Sequence, residues 1–259
     1  MDLQLRGKKA LVSGSTAGIG LAIAQALASE GAQVVVNGRT QERVDAAVRA
    51  VGHGATGVAA DLSTAEGAKR LFAAVPEVQI LVNNLGIFEA TPFGDITDAD
   101  WLRLFETNVL SGVRLSRQYL PRMVQAGWGR VLFVSSESGL QIPAEMIHYG
   151  VTKTAQLALS RGLAESVAGT GVTVNVVLPG PTRSEGVGVF VEGLARQKGV
   201  SAAQVEREFF RDMRPSSLLR RFETPEEIAP LVAFLASPVS AAITGAALRV
   251  DGGVVRSIA

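Results

Sequence analysis

The sequence predicts an α/β fold in which a single domain, residues 1–259, is built on a doubly wound parallel sheet of about seven strands. Short apolar runs rich in β-branched residues alternate along the chain with segments in which apolar residues recur at helical spacing. The runs are almost continuously hydrophobic, as expected for strands that are covered by helices on both faces. No internal repeat or low-complexity linker divides the chain, so one domain accounts for its length.

The apolar runs locate the strands in order. They predict strands at Lys9–Val12, Ala32–Val36, Gly57–Ala60, Ile80–Asn83, Arg130–Ser135, Val172–Leu178 and Ala247–Val250. The amphipathic segments between them predict helices at Gly20–Glu30, Thr40–Val51, Asp98–Ala126 and Tyr149–Ala168. Strands that alternate with helices form right-handed βαβ units, which build the sheet of a Rossmann-type fold.

One stretch late in the chain interrupts this alternation, being glycine-rich at first and then strongly charged. In an α/β sheet an insertion after a strand lies where ligands bind, so we expect a substrate-binding insertion at about residues 184–222. Its charge cluster is interpreted as a solvated helix face, with a lid that recognises a charged substrate as the alternative. The cluster consists of Arg207, Arg211, Asp212 and Arg214.

Composition excludes several classes of function. There is no cysteine, which excludes disulfides, thiolate catalysis and zinc–cysteine sites, and the two histidines, His53 and His148, lie far apart in the sequence, so we expect no metal. The formal net charge of +1 favours neither nucleic acid nor an anionic membrane as a partner. The amino terminus lacks the layout of a signal peptide, and no apolar run reaches the roughly 18 residues that span a bilayer. We therefore expect a soluble cytoplasmic protein.

A glycine-rich turn follows the first predicted strand, with glycines at positions 14, 18 and 20 before a helical segment. Glycines let the backbone approach a pyrophosphate closely, and the helix amino terminus supplies free N–H groups. The spacing GxxxGxG differs from the common GxGxxG pattern. A glycine turn between a strand and a helix also occurs for structural reasons alone, so the motif by itself leaves both interpretations open.

The end of the second predicted strand bears on the choice of nucleotide. An acid there would accept hydrogen bonds from a ribose 2′-hydroxyl, whereas arginine would attract a 2′-phosphate. The segment has no acid, Gly38 lies where the acid would stand, and Arg39 follows. We therefore expect NADP rather than NAD, the alternative being that Arg39 is a solvated residue at a helix start. Asp61, after the third strand, is a candidate to bind the adenine amino group or else to cap the next helix.

Tyr149 and Lys153 are four residues apart in a helical segment, which puts both side chains on one face. An adjacent ammonium stabilises a phenolate and lowers its pKa, so that the tyrosine could exchange a proton with a substrate oxygen. Ser136 ends a predicted strand thirteen residues earlier and would face the same cleft, where it could hydrogen-bond a carbonyl. Ser135 and Ser138 flank it, so its assignment rests on its spacing from Tyr149.

With these motifs together, the chain resembles the short-chain dehydrogenase/reductase family over essentially its full length. The matching motifs are SGSTAGIG at 13–20, Asp61, NNLG at 83–86, Asn108, Ser136, Tyr149 with Lys153, and PGPTRS at 179–184. Two positions depart from the family pattern: Leu85 replaces the usual alanine beside the adenosine or strand-packing region, and Ser184 stands for a threonine that contacts the carboxamide.

The resemblance implies roles for these residues. Tyr149 would be the acid/base and Ser136 the group that polarises the carbonyl. Lys153 would lower the tyrosine pKa and hold the nicotinamide ribose, and Asn108 would anchor a water of the proton relay. The expected cofactor contacts are Gly14, Ser15, Thr16, Gly18, Ile19, Gly20, Arg39, Asp61, Leu62, Asn84, Gly86, Tyr149, Lys153, Pro179, Gly180, Thr182 and Ser184.

The predicted function is hydride transfer between NADP(H) and a carbonyl or secondary alcohol. The alternatives are an NAD-dependent alcohol dehydrogenase of the same family, a non-catalytic dinucleotide-binding sensor, and a lyase or epimerase that uses the same tyrosine. Family resemblance, the apolar strand and tail at the carboxyl terminus and the apolar segment Asp98–Ala126 predict a homotetramer or homodimer. We expect His148 to have a wall or surface role, and Glu137 and Glu145 to be solvated loop carboxylates that could otherwise contact a polar or cationic substrate.

Overall fold

Seven parallel strands form one sheet in the order β3-β2-β1-β4-β5-β6-β7 in a computed structural model of the protein. The structure describes residues 1–258, and for residues 185, 186, 189 and 190 it describes the backbone only. The strands are β1 Lys9–Val12, β2 Gln33–Gly38, β3 Thr56–Ala59, β4 Ile80–Asn83, β5 Gly129–Val134, β6 Val172–Pro179 and β7 Ala247–Val250. The predicted fold class is confirmed, and no strand end is shifted by more than two residues.

The helices lie between these strands. They are α1 Gly18–Ser29, α2 Gln41–Val51, α3 Ala65–Ala74, α4 Asp98–Phe105, α5 Ser111–Gln125, α6 Ile147–Ser166, α7 Glu185–Lys198, α8 Ala202–Asp212 and α9 Pro225–Leu235. The single helix predicted at Asp98–Ala126 is interrupted by a π-helical turn, Glu106–Leu110, between α4 and α5. No helix within residues 1–258 is long and apolar enough to cross a membrane.

Alternate strand residues pack into two separate cores, because successive side chains point to opposite faces of a sheet. Val12 and Val36 pack with α1 and α9 on one face, whereas Leu11 and Val35 pack with α3 and α5 on the other. All four side chains are at most 1% exposed. The strands are therefore hydrophobic on both faces, which is why their sequences do not alternate.

The strand order reverses direction at β1, which has β2 on one side and β4 on the other. In doubly wound sheets such a point opens a crevice at the carboxyl ends of the strands. The glycine turn leaves β1 at this crevice. The later helices α7 and α8 pack together around a small apolar cluster of their own, which includes Val191, Val205 and Phe222.

Candidate active site

A cleft opens at the switch point between the glycine turn, the ends of β4 and β5, and the start of α6. Its lining includes Gly14, Ala17, Gly18, Ile19, Gly20, Asn84, Leu85, Gly86, Ile87, Phe88, Val134, Ser135, Tyr149, Lys153 and Ser184. The glycine-rich motif and the Tyr149–Lys153 pair, more than a hundred residues apart in sequence, therefore share one cleft.

The glycine turn is tight enough to need glycine at three positions. Gly14 and Gly18 have φ angles of +61° and +54°, a backbone conformation that other residues rarely adopt. A Cβ atom on Gly20 would lie 2.4 Å from Asn84 Nδ2 and 2.5 Å from Gly14 O. The backbone can therefore face the cleft without intervening side chains.

Helix α1 begins in this turn without a side-chain cap. Its N-cap residue, Ala17, has no side chain that could accept a hydrogen bond, and the first turn contains no acidic residue. By contrast, the hydroxyls of Thr40, Thr64 and Ser184 cap α2, α3 and α7. The free N–H groups of α1 and the positive end of its dipole therefore face the cleft, an arrangement suited to an anion.

Two residues that the sequence analysis did not single out hold the turn in place. Asn37, at the end of β2, accepts a hydrogen bond from Gly14 N at 3.3 Å, and its amide donates to Val58 O and Ala60 O. Ser13 Oγ accepts from the backbone N–H groups of Asn84 and Leu85. Each is a polar residue that directly follows an apolar run, and this is the sequence feature that could have identified them.

Asn84 and Leu85 pack against the same turn. Asn84 Nδ2 donates to Ser13 O and Gly14 O, both at 3.0 Å. A Cβ atom on Gly14 would lie 3.1 Å from Leu85 Cα, so the two backbones are almost in contact. Leu85 both lines the cleft and packs on the core, which accommodates its larger side chain.

The predicted cofactor contacts occupy three kinds of position. Those that line the cleft are Gly14, Gly18, Ile19, Gly20, Asn84, Gly86, Tyr149, Lys153 and Ser184. Those that are buried are Ser15, Leu62, Pro179, Gly180 and Thr182. Those that lie near the ends of β2 and β3, at least partly accessible, are Thr16, Arg39 and Asp61.

Ser15 and Thr182 direct their hydroxyls into the protein. Ser15 Oγ donates to Val12 O at 2.7 Å and accepts from Asn37 N at 3.0 Å. Thr182 Oγ1 donates to Gly180 O at 2.9 Å. Both hydroxyls are therefore engaged with the backbone.

Asp61 does not cap the following helix. Its Oδ1 accepts from Ser63 N at 3.0 Å and from Ser63 Oγ at 2.7 Å, whereas Thr64 caps α3 by accepting from Gly67 N. The capping alternative is therefore wrong, since the cap lies three residues later. Asp61 is half-buried after β3 and remains a candidate to bind the adenine amino group.

Lys153 is buried at the floor of the cleft beneath Tyr149. Its Nζ donates to Val134 O at 3.1 Å and to Gln156 Oε1 at 3.3 Å, and it lies 5.6 Å from the centre of the Tyr149 ring. Burial lowers the pKa of Lys153 to about 8, an effect that the negative charge of Glu137 opposes. The ammonium is therefore mostly protonated at neutral pH but readily neutralised above it.

The pKa of Tyr149 differs from the sequence-based expectation. Burial raises it above its ordinary value, and the charge of Glu137 raises it further, while Ser136 and Arg214 act in the opposite direction. We expected Lys153 to lower this pKa, but its ammonium is engaged with Val134 O and Gln156 instead. The phenol is therefore protonated at neutral pH.

The Ser136 side chain lies close enough to the Tyr149 hydroxyl to lower its pKa. It stands in extended conformation after β5, and its Oγ accepts from Ser138 N at 3.1 Å. Ser135 Oγ instead donates to Lys153 O at 2.9 Å. Of the two adjacent serines, Ser136 is thus the one whose side chain lies beside the Tyr149 hydroxyl.

Asn108 lies in the π-helical turn and joins two parts of the site. Its amide donates to Ile87 O and Thr152 Oγ1, both at 2.9 Å, and its Oδ1 accepts from Ile87 N at 2.8 Å. A Cβ atom on Gly86 would lie 3.3 Å from Lys153 Nζ, so the segment after β4 packs directly on the lysine. Asn108 therefore holds that segment against α6.

Of the charged residues expected to be solvated, Glu137 and Arg214 are buried, whereas Glu145 is partly exposed and Arg207 is exposed. Glu137 is 4% exposed and Arg214 is 6% exposed. Arg214 Nε donates to Glu137 Oε1 at 3.2 Å, and Nη1 donates to Glu145 Oε1 at 3.0 Å. Arg211 and Asp212 are exposed and bond each other, so only part of the predicted helix face meets solvent.

His148 is fully buried, so the expected surface role is wrong. Its ring packs edge-to-face on Trp101 with the ring centres 5.9 Å apart. The side chain points away from Tyr149 because adjacent helical residues are about 100° apart.

Comparison with known proteins supports one family. A family model described as enoyl-(acyl carrier protein) reductase matches residues 14–255. The chain is 50% identical over the full length of both chains to "Uncharacterized oxidoreductase YvaG" of Bacillus subtilis (strain 168). It is 35% identical to D-beta-hydroxybutyrate dehydrogenase of Cupriavidus necator, with 96% of this chain and 98% of that protein covered.

Solved structures agree with these relatives. L-sorbose reductase from Gluconobacter frateurii, complexed with NADPH and L-sorbose, superposes with a TM-score of 0.94 and 30% identity, and each chain is covered completely. The fold, the cleft and the relatives together lead to one conclusion. The chain belongs to the short-chain dehydrogenase/reductase family and is an NAD(P)-dependent oxidoreductase.

Proposed function

We propose that the protein transfers a hydride between NADP(H) and a carbonyl or secondary alcohol, using Ser136, Tyr149 and Lys153. The observation that carries this proposal is the meeting of these residues at one end of the cleft. The Ser136 side chain lies close enough to the Tyr149 hydroxyl to lower its pKa, and the ammonium of Lys153 is buried below the tyrosine ring.

The other end of the cleft fits a dinucleotide. The uncapped amino terminus of α1 would hold the diphosphate, and Gly18 and Gly20 keep side chains out of its way. Lys153 would hold the nicotinamide ribose, and Ser184, at the cleft edge, would contact the carboxamide. When bound there, the nicotinamide supplies or accepts the hydride.

The residues of this chain would handle the proton. In the reducing direction Tyr149 donates its proton to the substrate oxygen, which suits a phenol that the cleft keeps protonated. Ser136 donates a hydrogen bond to the same oxygen and stabilises the charge that develops on it. The ammonium of Lys153 stabilises the phenolate that remains.

Arg39 supports NADP(H) over NAD(H). It is exposed at the end of β2, where its guanidinium could reach a 2′-phosphate, and the strand end carries no acid to bind a 2′-hydroxyl. The sorbose reductase that superposes on this chain holds NADPH, which favours the same choice. An NAD-dependent dehydrogenase is the second candidate.

The test is turnover with purified protein. NADPH and NADH are each incubated with a series of ketones and aldehydes, and the loss of reduced nucleotide is followed by absorbance. We expect carbonyl-dependent oxidation of NADPH. Tight nucleotide binding without turnover of any carbonyl compound or alcohol would instead favour a dinucleotide-binding sensor.

A further inference from the structure

Glu137 places a buried carboxylate beside the serine that is proposed to act on the substrate. Ser136 Oγ donates a hydrogen bond to Glu137 Oε2, and Arg214 Nε donates to Oε1 at 3.2 Å. The Glu137 side chain is 5% exposed. Both carboxylate oxygens therefore have donors, and one of these donors is the hydroxyl that is proposed to act on the substrate.

The positive charge next to Glu137 is already shared. Arg214 also donates to Glu145 Oε1 at 3.0 Å, so one guanidinium is paired with two carboxylates. A substrate carboxylate or phosphate would find no unpaired cation in this trio and would meet its net negative charge. The trio therefore disfavours substrates that carry a negative charge near the reacting carbon.

Substrate binding changes the partners of Glu137. A serine hydroxyl has a single proton to donate. When Ser136 donates it to a substrate oxygen, Glu137 Oε2 loses its donor while staying buried, which is unfavourable. A hydroxyl on the carbon next to the carbonyl would replace that donor. The two oxygens of such a substrate lie within hydrogen-bond distance of each other, and so do Ser136 Oγ and Glu137 Oε2. The carbonyl oxygen can therefore face Ser136 while the hydroxyl faces Glu137.

Building on the proposed function, we propose that Glu137 determines specificity for neutral α-hydroxyketones and the vicinal diols formed from them. Glu137 accepts the substrate hydroxyl, while Ser136 and Tyr149 bind the carbonyl oxygen. Reduction adds a hydride, supplied by NADPH, to the carbonyl carbon and the Tyr149 proton to its oxygen, which gives the diol and NADP⁺. The hydroxyl held by Glu137 is not consumed.

The experiment compares hydroxyacetone with 2-butanone, which differ by a hydroxyl in place of a methyl group. kcat/KM with NADPH is measured for the wild type, Glu137→Gln and Glu145→Gln. The wild type should prefer hydroxyacetone by about ten- to a hundredfold, as expected for a hydrogen bond to a charged group. Glu137→Gln should lose most of this preference, mainly through a higher KM for hydroxyacetone.

Glu145→Gln is the matched control. This variant removes a carboxylate that pairs with the Arg214 guanidinium, but it leaves the hydrogen bond between Ser136 and Glu137 in place. The variant should therefore keep the preference for hydroxyacetone. Equal efficiency with the two ketones in the wild type would overturn the role of Glu137, and that result does not depend on whether a variant folds. An unchanged preference in Glu137→Gln would do the same while leaving the proposed function intact, whereas absence of turnover with any carbonyl compound would overturn both.

Discussion

At the scale of single residues, Arg39 is expected to decide which nucleotide is used. Arg39→Ala should weaken NADPH binding by about one to two decades, because it removes charge-assisted hydrogen bonds worth about 1.5–3 kcal/mol. NADH binding should change little, since NADH lacks the 2′-phosphate. Dissociation constants for both nucleotides, measured at low and high salt, test this, and the NADPH effect should shrink at high salt.

Arg49→Ala is the control for this experiment, because Arg49 is an exposed arginine at the far end of α2. An equal loss of affinity for both nucleotides in Arg39→Ala, or a preference of the wild type for NADH, would contradict the assignment. The reverse design, Gly38→Asp, is less suitable. A Cβ atom there would lie 2.3 Å from Thr16 Cγ2, so the variant would disturb the turn as well as the charge.

The residue types of the site could be predicted from the sequence, but their environments could not. Spacing alone indicated Ser136, Tyr149 and Lys153. Tyr149 and Lys153 are one helical turn apart, and Ser136 lies at a strand end that faces the same cleft. It could not show that Glu137 is buried, because the partner that makes burial tolerable, Arg214, lies 77 residues away. The upward shift of the Tyr149 pKa was not foreseen either, because it comes first from burial of the phenol in the folded chain and then from the charge of Glu137.

At the scale of elements, Glu223 joins the end of β6 to the start of α9. Its Oε2 accepts from Gly180 N at 3.2 Å, and the next residue, Thr224, is the N-cap of α9. Burial raises the pKa of Glu223 to about 7, and the negative charge of Asp251 contributes. The folded protein therefore binds this proton more tightly than the unfolded chain, so the stability contributed by Glu223 falls as pH rises from about 4.5 to 7.

Glu223→Gln should consequently stabilise the folded protein at pH 8 and change its stability much less at pH 5. The amide keeps an acceptor for Gly180 N but carries no charge. We expect a gain of the order of 2 kcal/mol at pH 8, or about 4–8 °C in melting temperature. Thermal unfolding at the two pH values checks this, with the exposed Glu226→Gln as control, and equal shifts at both pH values would contradict it.

The helices show which element boundaries a sequence can predict. Both ends of α2 were predicted to within a residue, because Thr40 and Gly52 are typical of helix ends. The π-helical turn at Glu106–Leu110 was missed, since an inserted residue leaves no glycine or proline to mark it. That turn contains Asn108, so the missed feature lies in the site.

At the scale of the whole molecule, we predict a homodimer or homotetramer. β7 is an edge strand of the sheet. Leu218, which is 82% exposed, lies beside Gly253, three residues after the end of β7. An open strand edge and a large exposed apolar side chain are features that self-association commonly covers. Light scattering at micromolar concentration should give a mass of two or four chains, and Leu218→Asp should reduce it, whereas a monomeric wild type would contradict the prediction.

The proposed reaction depends most directly on the proton of Tyr149, and Tyr149→Phe removes that proton while keeping the ring. The measurement is kcat for carbonyl reduction with NADPH, together with the dissociation constant for NADPH. We expect kcat to fall by about a hundredfold or more, as for loss of a general acid, with nucleotide affinity close to that of the wild type. Activity within tenfold of the wild type would contradict the assignment of Tyr149 as the acid.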